Sequence, residues 1–338
     1  MNIILNIGII GYGYWGPNLA RNFSNHPRVC LKRIVELKQD RRMVAALAHP
    51  QTELSSSVQD VTRSPDIDVV VIATPVSTHY ELAFDALNHD KHVWIEKPMT
   101  ATSLEGEMII ELALKKNKIV MVDHTFLFTG AVQTIKQLID EKRLGEMYYY
   151  DSVRVNLGLF QQDVNVIWDL APHDLSIMDY ILGSKPQAIS AVGKSHYATG
   201  LEDIAYLTVY YENNMIAHIH VNWLSPVKIR QTLIGGSHSM IVWNDLLSDE
   251  SLKIYNRGVD MIQSVESKYH YLASYRMGEM HAPVVHKKEA LLQEIDYLVE
   301  CIENNRQPMN DASSGTRIVR MLEASDASLK QSGAPIQL

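Results

Sequence analysis

Two titratable side chains near the middle of the chain are suited to proton transfer. Asp169 and His173 lie four residues apart in the segment WDLAPHD, where Pro172 predicts the first turn of a helix. Residues four apart share one face of a helix, so the carboxylate can orient the imidazole ring and stabilise its charged form. Because imidazole titrates near neutrality, His173 is a candidate proton acceptor. A helix cap followed by a packed histidine explains the same pattern, and both interpretations stay open here.

Lys97 is the next side chain suited to chemistry. It stands in the run Glu96-Lys97-Pro98, directly after a short apolar run. Its ammonium can hydrogen-bond a hydroxyl or carbonyl oxygen of a substrate and lower the cost of negative charge on that oxygen. The alternative is an ordinary exposed lysine, and the position at the end of a predicted strand favours the chemical role.

The hexapeptide GYGYWG, which begins at Gly11, predicts a phosphate-binding turn between an apolar strand and a helix. Gly11 permits a tight turn, Gly13 lets a pyrophosphate approach the backbone, and Gly16 lets the helix and the strand pack closely. The N-terminus of the helix adds free N–H groups and a positive dipole. The residues predicted to bind a dinucleotide here are Gly11, Gly13, Tyr14, Trp15 and Gly16.

Glu36 distinguishes between two forms of such a dinucleotide. It lies 20 residues after Gly16, at the end of the second predicted strand. A carboxylate at this place accepts hydrogen bonds from both hydroxyls of the adenosine ribose and repels a 2′-phosphate, which favours NAD over NADP. Arg41 and Arg42 follow closely in the sequence, and because arginine pairs with a 2′-phosphate, binding of NADP is not excluded.

The segment ATPVSTH at residues 73–79 follows a buried strand on the carboxyl edge of the predicted sheet, where ligands gather. A strand-to-helix turn also explains it, since Pro75 cannot extend a strand and Ser77 or Thr78 can cap the next helix. The position of this segment predicts contact with the cofactor. The same contact is predicted for the residues at the end of the following strand. The residues in this prediction are Thr74, Pro75, Thr78, His79, Glu96 and Lys97.

The first third of the chain alternates short aliphatic runs with amphipathic stretches. Fully apolar strands in this βα rhythm predict a parallel sheet covered by helices on both faces. With the glycine motif after its first strand, this sheet predicts a Rossmann dinucleotide-binding domain over residues 1–122. The predicted strands are residues 5–10, 31–35, 69–73, 92–95 and 119–122, and the predicted helices are residues 16–25, 39–48, 78–88 and 101–116.

Later candidate strands follow one another and predict a mostly antiparallel sheet. Helices on one face of it give an α+β domain over residues 123–338 with a large, open-faced sheet, and the last helix is expected to pack back on the first domain. The uncovered face predicts a homodimer or a homotetramer. The predicted strands are residues 147–155, 187–194, 204–211, 215–222, 229–235 and 238–243, and the predicted helices are residues 131–140, 172–182, 287–304 and 312–330.

Composition limits the class of protein. Of the 338 residues, 46% are hydrophobic and 21% are charged, which is typical of a globular chain that buries a core. The net charge of −8 offers no positive field for nucleic acid or an anionic membrane, and no apolar run is long enough to span a bilayer. Two distant cysteines, Cys30 and Cys301, and the lack of a signal-peptide pattern indicate a cytoplasmic protein. No metal is predicted, because His218 and His220 are more typical of a packed pair on a sheet face.

The order of GYGYWG, Glu36, ATPVSTH, EKP and DLAPHD, followed by an open-faced sheet, resembles the Gfo/Idh/MocA oxidoreductase family along nearly the whole chain. The resemblance implies an N-terminal Rossmann domain joined to a C-terminal α/β sheet domain, with NAD or NADP bound between them. It also implies oxidation or reduction of sugars, inositols or nucleotide-linked sugars. Lys97 matches the lysine of the family's EKP motif, and Asp169 and His173 match its DxxxH pair, in which histidine transfers the proton.

Two departures from the family pattern concern the substrate side. The family often has an Asn-Tyr-Arg-Phe-like run after the last Rossmann strand, whereas this chain has HTFL from His124 onward and lacks the arginine. Ser176 replaces the common carboxylate three residues past the histidine, and Asp174 lies adjacent to the histidine instead.

WDLAPHD, with residues 220–223 and 276–283, is similar to members linked to nucleotide-sugar and surface-polysaccharide biosynthesis. The diphosphate of a nucleotide sugar needs cationic or amide donors, which Arg230 and Arg276 can supply together with Arg154 and Asn165. The residues predicted to bind substrate are Lys97, His124, Arg154, Asn165, Trp168 and His173.

The sequence thus predicts an NAD-dependent oxidoreductase that moves a hydride between nicotinamide and a hydroxyl or keto carbon of a sugar, with a nucleotide-linked hexose favoured. One alternative is an NAD-dependent glycosidase, in which the cofactor oxidises the sugar transiently. Another is a non-catalytic regulator of the same fold that senses a dinucleotide, although intact Lys97, Asp169 and His173 argue against it.

Overall fold

The computed structural model describes residues 4–158, 163–197, 200–263 and 271–338. The chain divides into two compact units. Unit 1 consists of Met1–Phe128 with Lys288–Glu323, and unit 2 consists of Thr129–Lys287 with Ala324–Leu338. The domain boundary predicted after residue 122 stays a prediction.

Unit 1 contains the predicted alternation of strands and helices. Its first elements are β1 (Leu5–Ile10), α1 (Gly16–Asn25), β2 (Val29–Val35), α2 (Gln39–Ala48), β3 (Glu53–Ser55), α3 (Gln59–Thr62), β4 (Val69–Ile72), α4 (His79–Asn88), β5 (His92–Glu96), α5 (Ser103–Lys116) and β6 (Val120–Asp123). The strands form a parallel sheet in the order β3-β2-β1-β4-β5-β6. The predicted Rossmann-like sheet is therefore confirmed.

Apolar strands fill the centre of unit 1. All four residues of β4 and the three central residues of β5 are buried, as expected for strands covered on both faces. Trp94 of β5 packs edge-to-face on Phe23 of α1, with 5.5 Å between the ring centroids. Helix α5 begins at Ser103 because Thr102 and Glu105 form a capping box.

Unit 2 is built around a mixed, mostly antiparallel sheet. Its elements are α6 (Gly130–Asp140), β7 (Met147–Leu157), α7 (Val166–Leu182), β8 (Ala188–Lys194), β9 (Ile204–Tyr210), β10 (Ile216–Asn222), β11 (Leu224–Gly236), β12 (Met240–Asn244), β13 (Leu252–Tyr255), β14 (Gly258–Gln263), β15 (Tyr271–Arg276), β16 (Met280–His281) and β17 (Ile336–Gln337). Nine strands lie in the order β16-β13-β12-β11-β7-β10-β9-β8-β17, and β14 pairs with β15. β7 and β10 are parallel, and the other neighbours in this order are antiparallel.

Two long helices complete the chain. Helix α8 (Ala290–Glu303) belongs to unit 1, and helix α9 (Ala312–Lys330) contributes residues to both units. Among the helices of the described ranges, none is both long enough and apolar enough to cross a membrane.

The two faces of the unit 2 sheet differ in burial. Ala205 and Leu207 of β9 are buried, whereas Tyr206 and Tyr210 of the same strand are exposed. Helix α7 packs against β7, β9 and β10. Among the described residues, a helix covers one face of the sheet and exposed side chains lie on the other, which confirms the predicted open-faced sheet.

Helix α7 begins earlier than the sequence pattern predicts. Its predicted start is residue 172, but the side chain of Asn165 caps the helix by accepting hydrogen bonds from the N–H groups of Ile167 and Trp168. Pro172 lies inside the helix, so its predicted place in the first turn was wrong. Asp169 stands in the first turn, close to the positive end of the helix dipole.

The sequence pattern also does not predict several short strands. β3, β13, β16 and β17 have four residues or fewer, too few to show an alternation of apolar and polar residues. Their partners define them: Ile336 of β17, for example, pairs with Ile189 of β8.

Candidate functional site

The first turn of unit 1 requires glycine at two positions. Gly11 has a φ of +100°, and a Cβ there would lie 2.4 Å from the carbonyl oxygen of Ala73. A Cβ on Gly16 would lie 2.4 Å from the carbonyl oxygen of Gly11. The chain therefore passes closely between β1, β4 and α1 at a place that no larger residue fits.

The same turn leaves room for a phosphate group. The nearest atom to a Cβ on Gly13 would be Nη1 of Arg41 at 3.3 Å, at the end of a flexible side chain. Tyr14 is 84% exposed, and Trp15 is the N-cap residue of α1, whose N–H groups its side chain does not cap. Backbone N–H groups at the start of α1 thus remain available to an anion, and this cradle fits the pyrophosphate of a dinucleotide.

Glu36 is held at the end of β2. The carboxylate is 8% exposed and accepts hydrogen bonds from the N–H groups of Tyr12 and Lys38, both at 2.9 Å. Arg42 Nη1 donates to the carbonyl oxygens of Glu36 and Leu37, at 2.6 and 2.7 Å. The carboxylate is thus fixed one strand away from the glycine turn, where the adenosine ribose is expected.

The loop after β4 is joined to the loop after β5 by a buried histidine. His79 Nε2 lies 2.8 Å from the carbonyl oxygen of Thr74, and Nδ1 lies 3.0 Å from that of Pro98. Burial lowers the pKa of His79. Thr78 Oγ1 lies 2.7 Å from Thr74 Oγ1 and 2.8 Å from the carbonyl oxygen of Pro75. These contacts fix the shape of the two loops, and direct contact of these residues with the cofactor stays a prediction.

Glu96, Asp123 and Glu294, which we call the carboxyl cluster, lie together in unit 1. Glu96 and Asp123 end the neighbouring strands β5 and β6 and are paired in register. The carboxyl groups of Glu96 and Glu294 both lie within hydrogen-bonding reach of Asp123. Burial, and then the Asp123 charge, raise the pKa of Glu96 and of Glu294 well above the usual range.

Asp123 connects this cluster to the glycine turn. Trp15 Nε1 donates to Asp123 Oδ2 at 3.0 Å, and Thr125 Oγ1 donates to Asp123 Oδ1. Neither Asp123 nor Glu294 is among the site residues predicted from the sequence. The position of Asp123 after a predicted strand was an available signal, whereas nothing near Glu294 in the sequence indicates a role at this edge.

Lys97 and His124 neighbour the carboxyl cluster. Lys97 is half-buried, and its backbone N–H donates to Glu96 Oε2 at 3.1 Å. His124 is 1% exposed, and neither ring nitrogen has a hydrogen-bond partner within the described part of the chain. Burial lowers the pKa of His124 to about 4, so the ring is neutral at physiological pH. Contact of either residue with substrate stays a prediction.

Two residues predicted to bind substrate, Asn165 and Trp168, lie at the start of helix α7 in unit 2 and donate hydrogen bonds to acidic side chains. Asn165 Nδ2 donates to Glu202 at 3.2 Å and to Asp326 at 3.0 Å, and Trp168 Nε1 donates to Asp326 at 2.8 Å. Burial raises the pKa of Asp326. Asn165 and Trp168 therefore stabilise the helix start, and their contact with substrate stays a prediction.

The predicted catalytic pair stands one turn apart on α7. Asp169 and His173 are both half-buried, and Trp223 Nε1 donates to Asp169 Oδ2 at 2.9 Å. This contact fixes the Asp169 carboxylate on the helix face that His173 shares. The arrangement is compatible with an oriented proton acceptor.

Arg154 lies in a buried ion pair. Its Nε and Nη2 donate to the carboxylate of Asp174 at 2.6 and 3.3 Å, and Ser152 Oγ donates to the same carboxylate at 2.6 Å. Asp174 is thus paired inside unit 2. The predicted contact of Arg154 with substrate stays a prediction.

The remaining polar candidates of unit 2 contact protein groups. Arg230 pairs with Asp245 at 3.1 Å, and Arg276 Nη2 donates to the carbonyl oxygens of Ser237 and His238. On the open face, His220 stacks on Tyr206 with 4.3 Å between ring centroids, and His218 lies 3.4 Å from a carboxylate oxygen of Asp151.

Residues in both units match models of one oxidoreductase family. Residues 5–124 match an oxidoreductase family with an NAD-binding Rossmann fold, and residues 132–242 match the GFO/IDH/MocA C-terminal domain. The chain belongs to the Gfo/Idh/MocA family. It is an NAD-binding oxidoreductase of the class that acts on CH–OH groups.

Named Gfo/Idh/MocA relatives include sugar and inositol dehydrogenases. The chain is 28% identical over 205 residues to scyllo-inositol 2-dehydrogenase (NADP(+)) IolW of Bacillus subtilis, a match that covers 55% of this chain and 54% of that protein. It is 23% identical over 325 residues to UDP-N-acetylglucosamine 3-dehydrogenase of Acidithiobacillus ferrooxidans, covering 94% of this chain and 95% of that protein. Levoglucosan dehydrogenase, solved with NADH and L-sorbose, has a TM-score of 0.83 at 18% identity over 99% of both chains. This last likeness shows the fold alone.

Proposed function

We propose that this Gfo/Idh/MocA protein transfers a hydride between NAD and a hydroxyl-bearing carbon of a sugar. The observation that carries the proposal is the carboxyl edge of the unit 1 sheet. At this edge the glycine turn follows β1, Glu36 follows β2 and Lys97 follows β5, and all three strands belong to one parallel sheet. When bound, the nicotinamide supplies the carbon that accepts or returns the hydride.

The side chains of this protein handle the proton and the oxygen. In the oxidative direction His173 takes the proton of the sugar hydroxyl while the carbon bearing it loses a hydride, so that a ketone forms. Asp169, fixed by Trp223, orients the imidazole ring. Lys97 hydrogen-bonds the same sugar oxygen and stabilises the negative charge that develops on it. The reverse sequence reduces a ketone.

A nucleotide-linked hexose is the favoured substrate. The relative named UDP-N-acetylglucosamine 3-dehydrogenase supports it, because that match spans nearly the whole of both chains. Arg154, Arg230 and Arg276 already hold protein groups, so the support comes from the relative and not from these three side chains.

Product analysis tests the proposed reaction. The purified protein is incubated with NAD and with UDP- and dTDP-linked hexoses, free hexoses and inositols, and both NADH absorbance and product mass are followed. We expect NADH to accumulate together with a keto sugar. Release of free sugar without NADH would indicate a glycosidase, and NAD binding without turnover of any compound would indicate a regulator.

NAD is expected to bind more tightly than NADP. The fixed Glu36 carboxylate repels a 2′-phosphate, and Arg42 is held by two carbonyl oxygens. Titration calorimetry with both cofactors measures the difference, and Glu36→Gln, which keeps the shape but removes the charge, should narrow it. A tenfold preference of the parent protein for NADP, worth about 1.4 kcal/mol, would contradict this orientation of Glu36.

The protein is expected to form a homodimer or a homotetramer through the open face of the unit 2 sheet. Tyr206, Tyr210 and Ile216 are exposed on that face. Burying such side chains favours association. Sedimentation equilibrium should give the mass of two or four chains, and Ile216→Glu should lower it, whereas Leu47→Glu on exposed helix α2 should not. The mass of a single chain at micromolar concentration would contradict the prediction.

A further inference from the structure

The carboxyl cluster contains fewer hydrogen-bond donors than three carboxylates need. Glu96 Oε2 accepts from Lys97 N–H, and Glu294 Oε1 accepts from Asn310 Nδ2 at 3.0 Å. Glu96 Oε1 and Glu294 Oε2 are buried and have no donor within the described part of the chain. Glu294 itself is 0% exposed. A buried carboxylate oxygen without a donor costs free energy, so the neutral, protonated form of Glu96 and of Glu294 is favoured.

Asp123 is the member of the cluster that is supplied with donors. It accepts from Trp15 Nε1 and from Thr125 Oγ1. Two carboxyl groups can share a hydrogen bond only if one of them carries a proton. Protons on Glu96 and Glu294 would give Asp123 four donors, which matches the acceptor capacity of one carboxylate.

The cluster lies at the end of the sheet that is farthest from Glu36. Glu36 follows β2 and the glycine turn follows β1, whereas Glu96 and Asp123 end β5 and β6 on the other side of β4. A dinucleotide with its adenosine ribose at Glu36 and its pyrophosphate at the glycine turn extends towards these strands. Its nicotinamide ring is positively charged when oxidised and neutral when reduced.

We propose that the carboxyl cluster holds one negative charge, on Asp123, with Glu96 and Glu294 as neutral acids that donate to it, and that this charge favours the oxidised cofactor over the reduced one. The inference rests on the proposed NAD-dependent function. It assigns an electrostatic role to Asp123 and a positioning role to Glu294. The raised pKa values of Glu96 and Glu294 agree with this distribution of protons.

Other charged groups nearby do not replace that role. Lys97 lies within electrostatic reach of Glu96 and of His124. His124 is neutral because burial lowers its pKa to about 4. In this proposal Asp123 therefore supplies the negative charge that acts on the oxidised nicotinamide.

Titration calorimetry with NAD⁺ and with NADH tests the proposal through the ratio of the two dissociation constants. Asp123→Asn removes the charge and should weaken NAD⁺ binding about tenfold relative to NADH, as a partly screened charge pair would. Glu96→Gln and Glu294→Gln keep a neutral donor at each position and should leave the ratio within about twofold of the parent value. An unchanged ratio in Asp123→Asn, or an equal fall in Glu294→Gln, would overturn the proposal.

Trp15→Phe is the matched control. It removes one hydrogen bond to Asp123 but keeps the charge, so it should weaken both cofactor forms by similar factors. A preferential loss of NAD⁺ in this variant would mean that loop geometry, and not charge, sets the ratio, which would also overturn the proposal.

The pH dependence of stability gives a second test that needs no cofactor and covers the case in which Asp123→Asn does not fold. A glutamic acid with a raised folded-state pKa stabilises the fold fully below about pH 4.3, the ordinary value, and this stabilisation is lost as the pH rises through the folded-state pKa. The melting temperature of the parent should therefore fall more steeply with rising pH than that of Glu294→Gln. Parallel profiles would contradict a neutral Glu294.

The two sets of tests separate failure of this inference from failure of the proposed function. If the ratio responds to Asp123→Asn but no sugar is oxidised, the charge assignment stands and the reaction assignment fails. If a sugar is oxidised but the ratio does not respond, the reaction stands and the charge assignment fails.

Discussion

Replacing His173 by alanine is expected to slow hydride transfer by about 10²- to 10⁴-fold, the usual effect of losing a general acid–base group. NAD binding should be retained, because the glycine turn and Glu36, to which binding of the dinucleotide is assigned, are unchanged in this variant. Lys97→Ala should slow the reaction within the same range, since Lys97 is assigned to the same sugar oxygen. Single-turnover hydride transfer, NAD affinity and melting temperature are measured on the same three proteins.

A packed histidine without a catalytic role predicts the opposite pattern. Truncating it would lower the unfolding midpoint and leave the rate of the surviving folded enzyme nearly unchanged. Should His173→Ala and Lys97→Ala both transfer hydride at the parent rate with saturating substrate, the catalytic assignment is wrong, while the fold and the family stand.

Asp174→Ala is expected to destabilise the protein by about 3 to 5 kcal/mol, because it removes the carboxylate that pairs with the buried Arg154 guanidinium. The pair is enclosed in unit 2, and Ser152 loses an acceptor in the same change. Urea denaturation measures the loss. Asp174 is next to His173 in the sequence. We therefore expect Asp174→Ala to lower stability and His173→Ala to lower the rate of hydride transfer, although the two positions are adjacent.

A double variant tests the physical reason for that loss. Arg154→Met with Asp174→Leu replaces both charges by apolar groups, so no buried charge is left uncompensated. It should be more stable than Asp174→Ala alone. A loss below about 1 kcal/mol in the single variant would show that the pair is solvated in solution, since exposed ion pairs have effects of that size.

Local patterns explain why much of unit 1 could be predicted. The glycine turn, Glu36 and Lys97 each follow an apolar strand directly, so position in the sequence fixes position at the sheet edge. The φ of Gly11 and the close approach of Gly16 are consequences of that same turn. Residues whose role depends on neighbours in sequence are the ones that sequence patterns reveal.

Contacts between distant parts of the chain could not be predicted in this way. Glu294 reaches Asp123 from a helix near the end of the chain, and Arg154 finds Asp174 only when β7 and α7 pack together. The early start of α7 depends on capping by Asn165. The sequence pattern did not reveal this, because Pro172 predicted a later start. Burial and pairing, and not residue type, give these side chains their roles.

Transfer of deuterium tests the central claim most directly. The sugar that the product screen identifies is prepared with deuterium on the carbon that bears the reacting hydroxyl, and a single turnover is run with NAD. We expect deuterium in the reduced cofactor and a ketone at that carbon of the sugar. A product that forms while the cofactor gains no deuterium would contradict hydride transfer by this protein.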